Sequence, residues 1–76
     1  MDRFDIMRLV VRVIERRSFT AAAADLGLPR STATEAIKRL EARLGTRLLE
    51  RTTRHVAPTL EGKAFYERCL AILADV

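Results

Sequence analysis

Side chains that form hydrogen bonds or carry charge cluster in the middle of this 76-residue chain. If residues 30–39 are helical, the side opposite Ala33 and Ile37 presents a set of donors and acceptors: Arg30, Ser31, Thr34, Glu35 and Lys38, with Arg39 beside them. Arginine and lysine donate, carboxylates accept, and hydroxyls do both. These groups are suited to binding a polar ligand through hydrogen bonds, and they do not by themselves indicate catalysis.

Residue types also argue against catalysis and metal binding. The chain has one cysteine and one histidine, which cannot form an internal disulfide or a zinc site. We find no nucleophile beside a base and no glycine-rich phosphate loop. We therefore predict a protein that is not an enzyme and has no catalytic residues, no metal and no cofactor of its own. Cys69 is interpreted as a small hydrophobic residue on an apolar helix face.

The polar cluster needs a helix-turn-helix to position it, and residues 18–38 have that pattern. Ser18 is a good N-cap, and the alanines 21–24 allow a close helix crossing. Gly27 suits a left-handed helix end. The next helix starts either at Pro29 or at a capping box formed by Thr32 and Glu35, and we favour Pro29 because it follows the turn closely.

The flanking segments complete the predicted fold. Apolar periodicity predicts a first helix from Phe4 to about Arg16. The helix after the turn should bury Ala33, Ile37, Leu40 and Leu44 and end at Gly45. Two short strands, 48–51 and 55–58, would form a wing within about 47–58, and Thr59 would cap a last helix over 60–76. The fold class is therefore mainly α: a winged helix-turn-helix over 1–59, with a three-helix core and a two-stranded wing, followed by the start of a long linker helix.

Charge is concentrated where the second helix of the motif and the wing should lie. Lysine and arginine number 14 against 10 acidic residues. Residues 30–55 hold seven basic and three acidic residues, which equals the formal net charge of +4 for the whole chain. A localised basic stripe is typical of a polyanion partner, although a solvated basic face is the commoner case. Its coincidence with the helix-turn-helix favours DNA.

Roles on DNA follow from residue chemistry. In the major groove Arg30 could bind a guanine, Thr34 a thymine methyl or a phosphate, and Glu35 the N4 amino group of cytosine. Glu35 could instead hold Arg30 or Arg39 in place. Further phosphate contacts are expected from residues at the second helix, the third helix and the wing: Ser18, Thr20, Lys38, Arg39, Arg51 and Arg54. Ser18 could equally serve as a cap alone, and the wing arginines could pair with Glu50.

Two other functions compete with specific DNA binding. A winged helix can dock on another protein, but a docking face should be apolar and mixed, whereas residues 30–54 are basic and polar. Nonspecific nucleic-acid binding, including RNA, lacks a stacking platform because the aromatic residues fall outside the basic face.

The last helix has more apolar surface than a small domain covers, which predicts homodimerisation. The expected dimer residues are Phe65, Cys69, Leu70, Ile72 and Leu73. The helix also has no C-cap signal, so we expect the chain to be part of a longer protein. No apolar run reaches transmembrane length and the N-terminus lacks a signal-peptide pattern, which leads us to expect a cytoplasmic protein without membrane contact.

The chain closely resembles the N-terminal winged helix-turn-helix of LysR-type transcriptional regulators. The most specific matches are SFT before the alanines, RLEARLG, RLLERT, and Thr59 with Gly62. The resemblance implies binding to imperfect inverted repeats in double-stranded DNA, pairing through the helix that starts at about Leu60, and a C-terminal domain, absent from this chain, that binds a small-molecule inducer. Contacts to DNA would come from Arg30, Ser31, Thr34, Glu35, Lys38, Arg51 and Arg54. Glu35 departs from the family, which often has a basic residue there.

Overall fold

A computed structural model describes residues 1–51 and 55–76. The elements follow in the order α1 (Arg3–Arg16), α2 (Phe19–Asp25), α3 (Arg30–Leu44), β1 (Leu49–Arg51), β2 (Val56–Pro58) and α4 (Leu60–Ala74). The two strands form an antiparallel hairpin in which Leu49 pairs with Pro58 and Arg51 with Val56. This architecture confirms the predicted fold class of a helix-turn-helix with a two-stranded wing.

Local sequence signals account for most helix ends. The Ser18 hydroxyl accepts a hydrogen bond from the Ala21 amide at 3.1 Å and so caps α2. Gly27 and Gly45 adopt left-handed conformations, with φ of 68° and 70°. Helix α3 starts after Pro29, as favoured, and no side chain caps it. The alternative capping box of Thr32 and Glu35 is therefore wrong, because both residues already lie inside the helix.

The core lies where α1, α2 and α3 meet. Its fully buried members include Leu9, Val10, Ala22, Ala33 and Ile37. The alanines let α2 and α3 approach closely, and burial of a side chain as large as Ile37 contributes about 1.5–3 kcal/mol. Helix α3 is thereby held by one face and leaves the opposite face outward.

The predicted burial of Leu44 is wrong. The buried residues of α3 are Ala33, Ile37 and Leu40, whereas Leu44 is 45% exposed. The last turn of α3 extends past the core. The apolar periodicity of the sequence therefore continues beyond the part of the helix that is buried.

The base of the hairpin is fixed to α3 and α4 by buried contacts and hydrogen bonds. The Glu41 carboxylate accepts hydrogen bonds from the amides of Leu48 and Leu49, at 2.8 and 3.2 Å. The Thr59 hydroxyl donates to the Arg47 carbonyl at 2.6 Å and accepts from the Gly62 amide at 3.0 Å. The cap predicted at Thr59 is confirmed, and the same side chain joins the start of α4 to the segment before β1.

Helix α4 packs along α1. The Tyr66 hydroxyl donates to a Glu15 carboxylate oxygen at 2.8 Å, and Cys69 is fully buried. Burial raises the pKa of the Cys69 thiol, because an apolar environment disfavours the thiolate. Among residues 1–51 and 55–76 no helix has the length and apolar character needed to cross a membrane.

Candidate nucleic-acid interface

An open groove runs between the first half of α3 and the hairpin. Its lining combines residues from α2, α3 and both strands: Phe19, Arg30, Ser31, Thr34, Glu35, Arg51 and Val56. Five of these were predicted as DNA contacts from the sequence, and the fold brings them together from positions up to 21 residues apart. The α3 side of the groove therefore carries one cation, one carboxylate and two hydroxyl groups, and Arg51 borders the groove on the hairpin side.

The position of Arg51 depends on an aromatic contact, so the expectation that every aromatic residue falls outside the basic face is wrong for Phe19. Its guanidinium lies over the Phe19 ring, 4.5 Å from the ring centroid. Phe19 is almost completely buried, so it provides a fixed surface for an otherwise exposed side chain. A cation over an aromatic face is attracted by the ring quadrupole. Arg51 thus contacts α2, whereas the pairing with Glu50 considered from the sequence is not among the ion pairs of the described residues.

Ion pairs distinguish three arginines of α1 from the basic residues of α3 and β1. Every salt bridge within residues 1–51 and 55–76 involves α1 or the end of α2: Arg8 with Asp5, Arg12 with Glu15 and Asp25, and Arg16 with Asp25. The basic residues of α3 and β1 pair with no carboxylate in that part of the chain. Their charges remain available to an external anion.

The two acidic residues of α3 differ in the same way. Glu41 is half-buried, and both its hydrogen bonds go to hairpin amides. Glu35 is exposed, lines the groove, and forms no ion pair or side-chain hydrogen bond with any other described residue. The alternative in which Glu35 holds Arg30 or Arg39 is therefore not observed. The structural role of Glu41 gave no sequence signal, because its partners, at the start of the hairpin, lie seven and eight residues later in the chain.

The remaining predicted contacts lie around the groove or outside the described residues. Lys38 and Arg39 are exposed farther along α3 and do not line the groove. Thr20 is exposed, whereas Ser18 is half-buried and serves as a helix cap. Arg54 lies outside the described residues. The structure therefore places the predicted α3 residues and Arg51 in or beside one groove and shows Ser18 as a helix cap, and their contacts with DNA stay predictions.

The residues predicted for dimerisation separate into buried and exposed members. Cys69 is fully buried within this chain, so the prediction that it faces a second copy is wrong for this structure. Phe65 and Leu73 are half-buried, and Leu70 and Ile72 remain 41% and 42% exposed. The apolar stripe of α4 is thus divided between the chain's own core and its surface.

The described residues contain no cluster of three or more histidine, cysteine, aspartate or glutamate side chains that could hold a metal ion.

Comparison with known proteins assigns this architecture to a family. Residues 4–63 match the family described as "Bacterial regulatory helix-turn-helix protein, lysR family". The chain belongs to the LysR family. The match spans α1 to the beginning of α4 and includes every residue of the groove. The resemblance drawn from SFT, RLEARLG and RLLERT is confirmed.

Individual LysR-family relatives are similar over nearly the whole chain. The chain is 52% identical over 72 residues to the HTH-type transcriptional regulator PgrR of Escherichia coli K12, covering 95% of the chain and 22% of that protein. It is 40% identical over 76 residues to the HTH-type transcriptional repressor PA14_22550 of Pseudomonas aeruginosa, covering all of the chain and 24% of that protein. The chain thus spans about a quarter of the length of these LysR-family relatives, which are regulators and not enzymes.

Solved structures support the same family fold. The DNA-binding domain of BenM in complex with the catB site 1 DNA has a TM-score of 0.91 and 37% identity, covering 99% of this chain and 82% of that one. The CbnR DNA-binding domain in complex with DNA has a TM-score of 0.89 and 35% identity, covering 97% and 84%. The LysR-family fold of the chain is therefore matched by domains that were solved with DNA bound.

Proposed function

We propose that this chain binds double-stranded DNA sequence-specifically as the DNA-binding domain of a bacterial LysR-type transcriptional regulator. The observation that carries the proposal is the groove, where α3 and Arg51 present basic and hydroxylated side chains without carboxylate partners in the described part of the chain. The BenM and CbnR domains bound to DNA support it, because they share both the fold and more than a third of the sequence with this chain.

The first half of α3 enters the major groove in this proposal. Its buried face is fixed by Ala33 and Ile37, so the opposite face is free to approach base edges. Arg30 donates two parallel hydrogen bonds to a guanine, and Ser31 and Thr34 contact neighbouring bases or phosphates. Lys38 and Arg39 lie farther along the helix, where the phosphate backbone of the same groove passes.

The wing contacts the adjacent backbone or minor groove. The contact between Arg51 and Phe19 holds one cation at the edge of the site and limits the side-chain freedom lost on binding. Arg54 is expected to grip phosphates or enter the minor groove. Arg54→Ala should then weaken binding to all sequences alike, and a changed sequence preference would assign base readout to the wing. Ser18 and Thr20 add phosphate contacts at the start of α2.

Assembly and location follow from the same proposal. The exposure of Leu70 and Ile72, with Leu73 beside them, supports α4 as the dimerisation helix of this proposal, in which a two-fold dimer reads an imperfect inverted repeat. The complete regulator would carry a C-terminal domain that binds a small-molecule inducer and would work in the cytoplasm.

The first experiment is a fluorescence-anisotropy titration of the chain against random duplexes, with selection of the bound fraction and a salt series. We expect a steep fall in affinity with salt, because phosphate contacts release counterions, together with enrichment of a two-fold-symmetric site.

The other outcomes separate the parts of the proposal. A steep salt dependence without enrichment would reject sequence specificity for this chain and leave phosphate contacts. An enriched site without two-fold symmetry would reject the dimer. No binding at low salt would reject DNA as the partner and favour docking on a protein.

A further inference from the structure

We propose that Glu35 restricts the DNA target to sites with a cytosine at one position of each half-site. The carboxylate would accept a hydrogen bond from the cytosine N4 amino group and repel base edges that present only acceptors. This inference rests on the proposed function. In it the basic residues provide affinity for DNA, and Glu35 provides specificity by disfavouring bases that present only acceptors.

The position of Glu35 is that of a recognition residue. It lies four residues after Ser31, one turn farther along α3, and shares the groove with Arg30 and Arg51. Its side chain is exposed. A ligand that enters the groove to meet Arg30 or Thr34 therefore also meets this carboxylate.

Glu35 has no structural role in the described part of the chain. Its closest comparison is Glu41, six residues later on the same helix, which accepts two backbone amides and so holds the base of the hairpin. Glu35 accepts no such donor and pairs with none of the neighbouring cations among residues 1–51 and 55–76. Within the described residues this carboxylate is thus an acceptor without a donor, and it lies in the proposed interface.

The chemistry of base edges selects cytosine as that donor. In the major groove guanine presents N7 and O6, and thymine presents O4, all of which are acceptors and repel a carboxylate. Adenine presents its N6 amino group beside the N7 acceptor, whereas cytosine presents N4 alone. Cytosine is therefore the base whose edge gives a carboxylate a donor without a competing lone pair.

Repulsion between the Glu35 carboxylate and the acceptors of DNA makes the preference for cytosine stronger than the hydrogen bond to N4 alone would. A carboxylate brought close to phosphates weakens binding to every sequence unless a donor compensates it. At the position facing Glu35 we expect cytosine to be preferred roughly tenfold over guanine or thymine, within the range known for base contacts.

The test is selection from random duplexes with the unchanged chain and three variants. Glu35→Gln should shift the preference from cytosine to adenine, because glutamine pairs with adenine N6 and N7. Glu35→Ala should remove the preference while leaving the rest of the site. Glu50→Gln is the matched control: it removes one exposed carboxylate from β1, outside the groove, and should raise affinity without changing the selected bases.

A chemical substitution in the DNA tests the contact itself. The selected cytosine is replaced by its analogue lacking the 4-amino group, and affinities are compared for the unchanged chain and Glu35→Ala. We expect a roughly tenfold greater loss for the unchanged chain than for the variant.

Failure of this inference can be told apart from failure of the proposed function. If the unchanged chain selects a site that Glu35→Gln and Glu35→Ala select with the same base frequencies, Glu35 does not determine specificity, while DNA recognition stands. If the unchanged chain selects no site, sequence-specific recognition is wrong and this inference falls with it.

Discussion

The face formed by α1 and α2 and the face formed by α3 and the hairpin are both rich in arginine, but their arginines have different partners. On the first, Arg8, Arg12 and Arg16 pair with carboxylates at 3.3–3.9 Å. On the second, Arg30 pairs with no carboxylate in the described residues and Arg51 lies over an aromatic ring. A count of charged residues therefore says less about a binding face than the placement of the acids does.

The largest effect on the second face is expected at Gly62 of α4, which packs against Leu48 at the base of the hairpin. A Cβ at this buried position would fall inside the Leu48 carbonyl oxygen. We expect Gly62→Ala to lower the free energy of unfolding by about 2–3 kcal/mol, because backbone on both sides must move. Urea denaturation measures the change.

Ala64→Ser is the control for Gly62→Ala, since it adds one heavy atom at an exposed position of the same helix. Its stability should stay within about 0.5 kcal/mol of the unchanged chain. Equal stability of Gly62→Ala and the control would show that α4 is not held closely against the hairpin base.

The difference between paired and unpaired arginines predicts different effects on DNA binding. Arg30→Ala should cost about 1–3 kcal/mol on the selected site and relax its base preference. Arg12→Ala removes the same charge from the paired face and should cost less than about 0.5 kcal/mol in binding. Anisotropy titrations at one salt concentration compare them. Equal losses from the two variants would contradict the division into two faces, and an equal loss for Arg30→Ala on random DNA would make Arg30 a phosphate contact.

The contact between Phe19 and Arg51 can be measured by a double-mutant cycle. Phe19→Leu keeps an apolar side chain in the core but removes the ring, and Arg51→Ala removes the cation. We expect a coupling of about 0.5–1 kcal/mol in the free energy of unfolding, the range of an exposed cation–π contact. Additive effects of the two substitutions would show that Arg51 does not depend on the ring.

The smallest effect is expected at Tyr66, whose side chain does not line the groove. Its hydrogen bond to Glu15 raises the pKa of the phenol, with burial and the Glu15 charge adding to the shift. The folded chain therefore keeps this proton to a higher pH than the unfolded chain. The stabilising contribution is complete below the ordinary tyrosine pKa of about 10 and is lost as the pH rises through the folded pKa.

Absorbance titration measures this pKa directly, because the chain has one tyrosine and no tryptophan. In Glu15→Gln the pKa of Tyr66 should fall toward its ordinary value. In Tyr66→Phe the phenol is absent, so its deprotonation should no longer lower the free energy of unfolding at alkaline pH. An unchanged tyrosine pKa in Glu15→Gln would contradict the hydrogen bond.

Sequence analysis predicted features that depend on local chemistry. Ser18, Gly27 and Thr59 carry cap and turn signals that act within a few residues, and the structure has them in those roles. The apolar periodicity of α3 was sufficient to orient the helix and so to identify which side chains face outward. It was wrong at Leu44 because periodicity describes a face and does not show where the packing partner ends.

The missed features depend on contacts between distant parts of the chain. Phe19 and Arg51 are 32 residues apart, and Tyr66 and Glu15 are 51 apart, so no local pattern marks them as partners. Cys69 shares the helical stripe of the predicted dimer residues, but only the approach of α4 to α1 decides which side of that stripe is already covered.

The salt bridges on α1 have a consequence for the kinetics of encounter. Because Arg8, Arg12 and Arg16 are paired with Asp5, Glu15 and Asp25, the larger excess of unpaired positive charge in the described residues lies on the side of α3 and the hairpin. A molecule with this asymmetric charge distribution is oriented by the electric field of a polyanion before the two molecules come into contact. Collisions then occur groove first, and fewer of them are lost to unproductive orientations than if the same net charge were spread evenly.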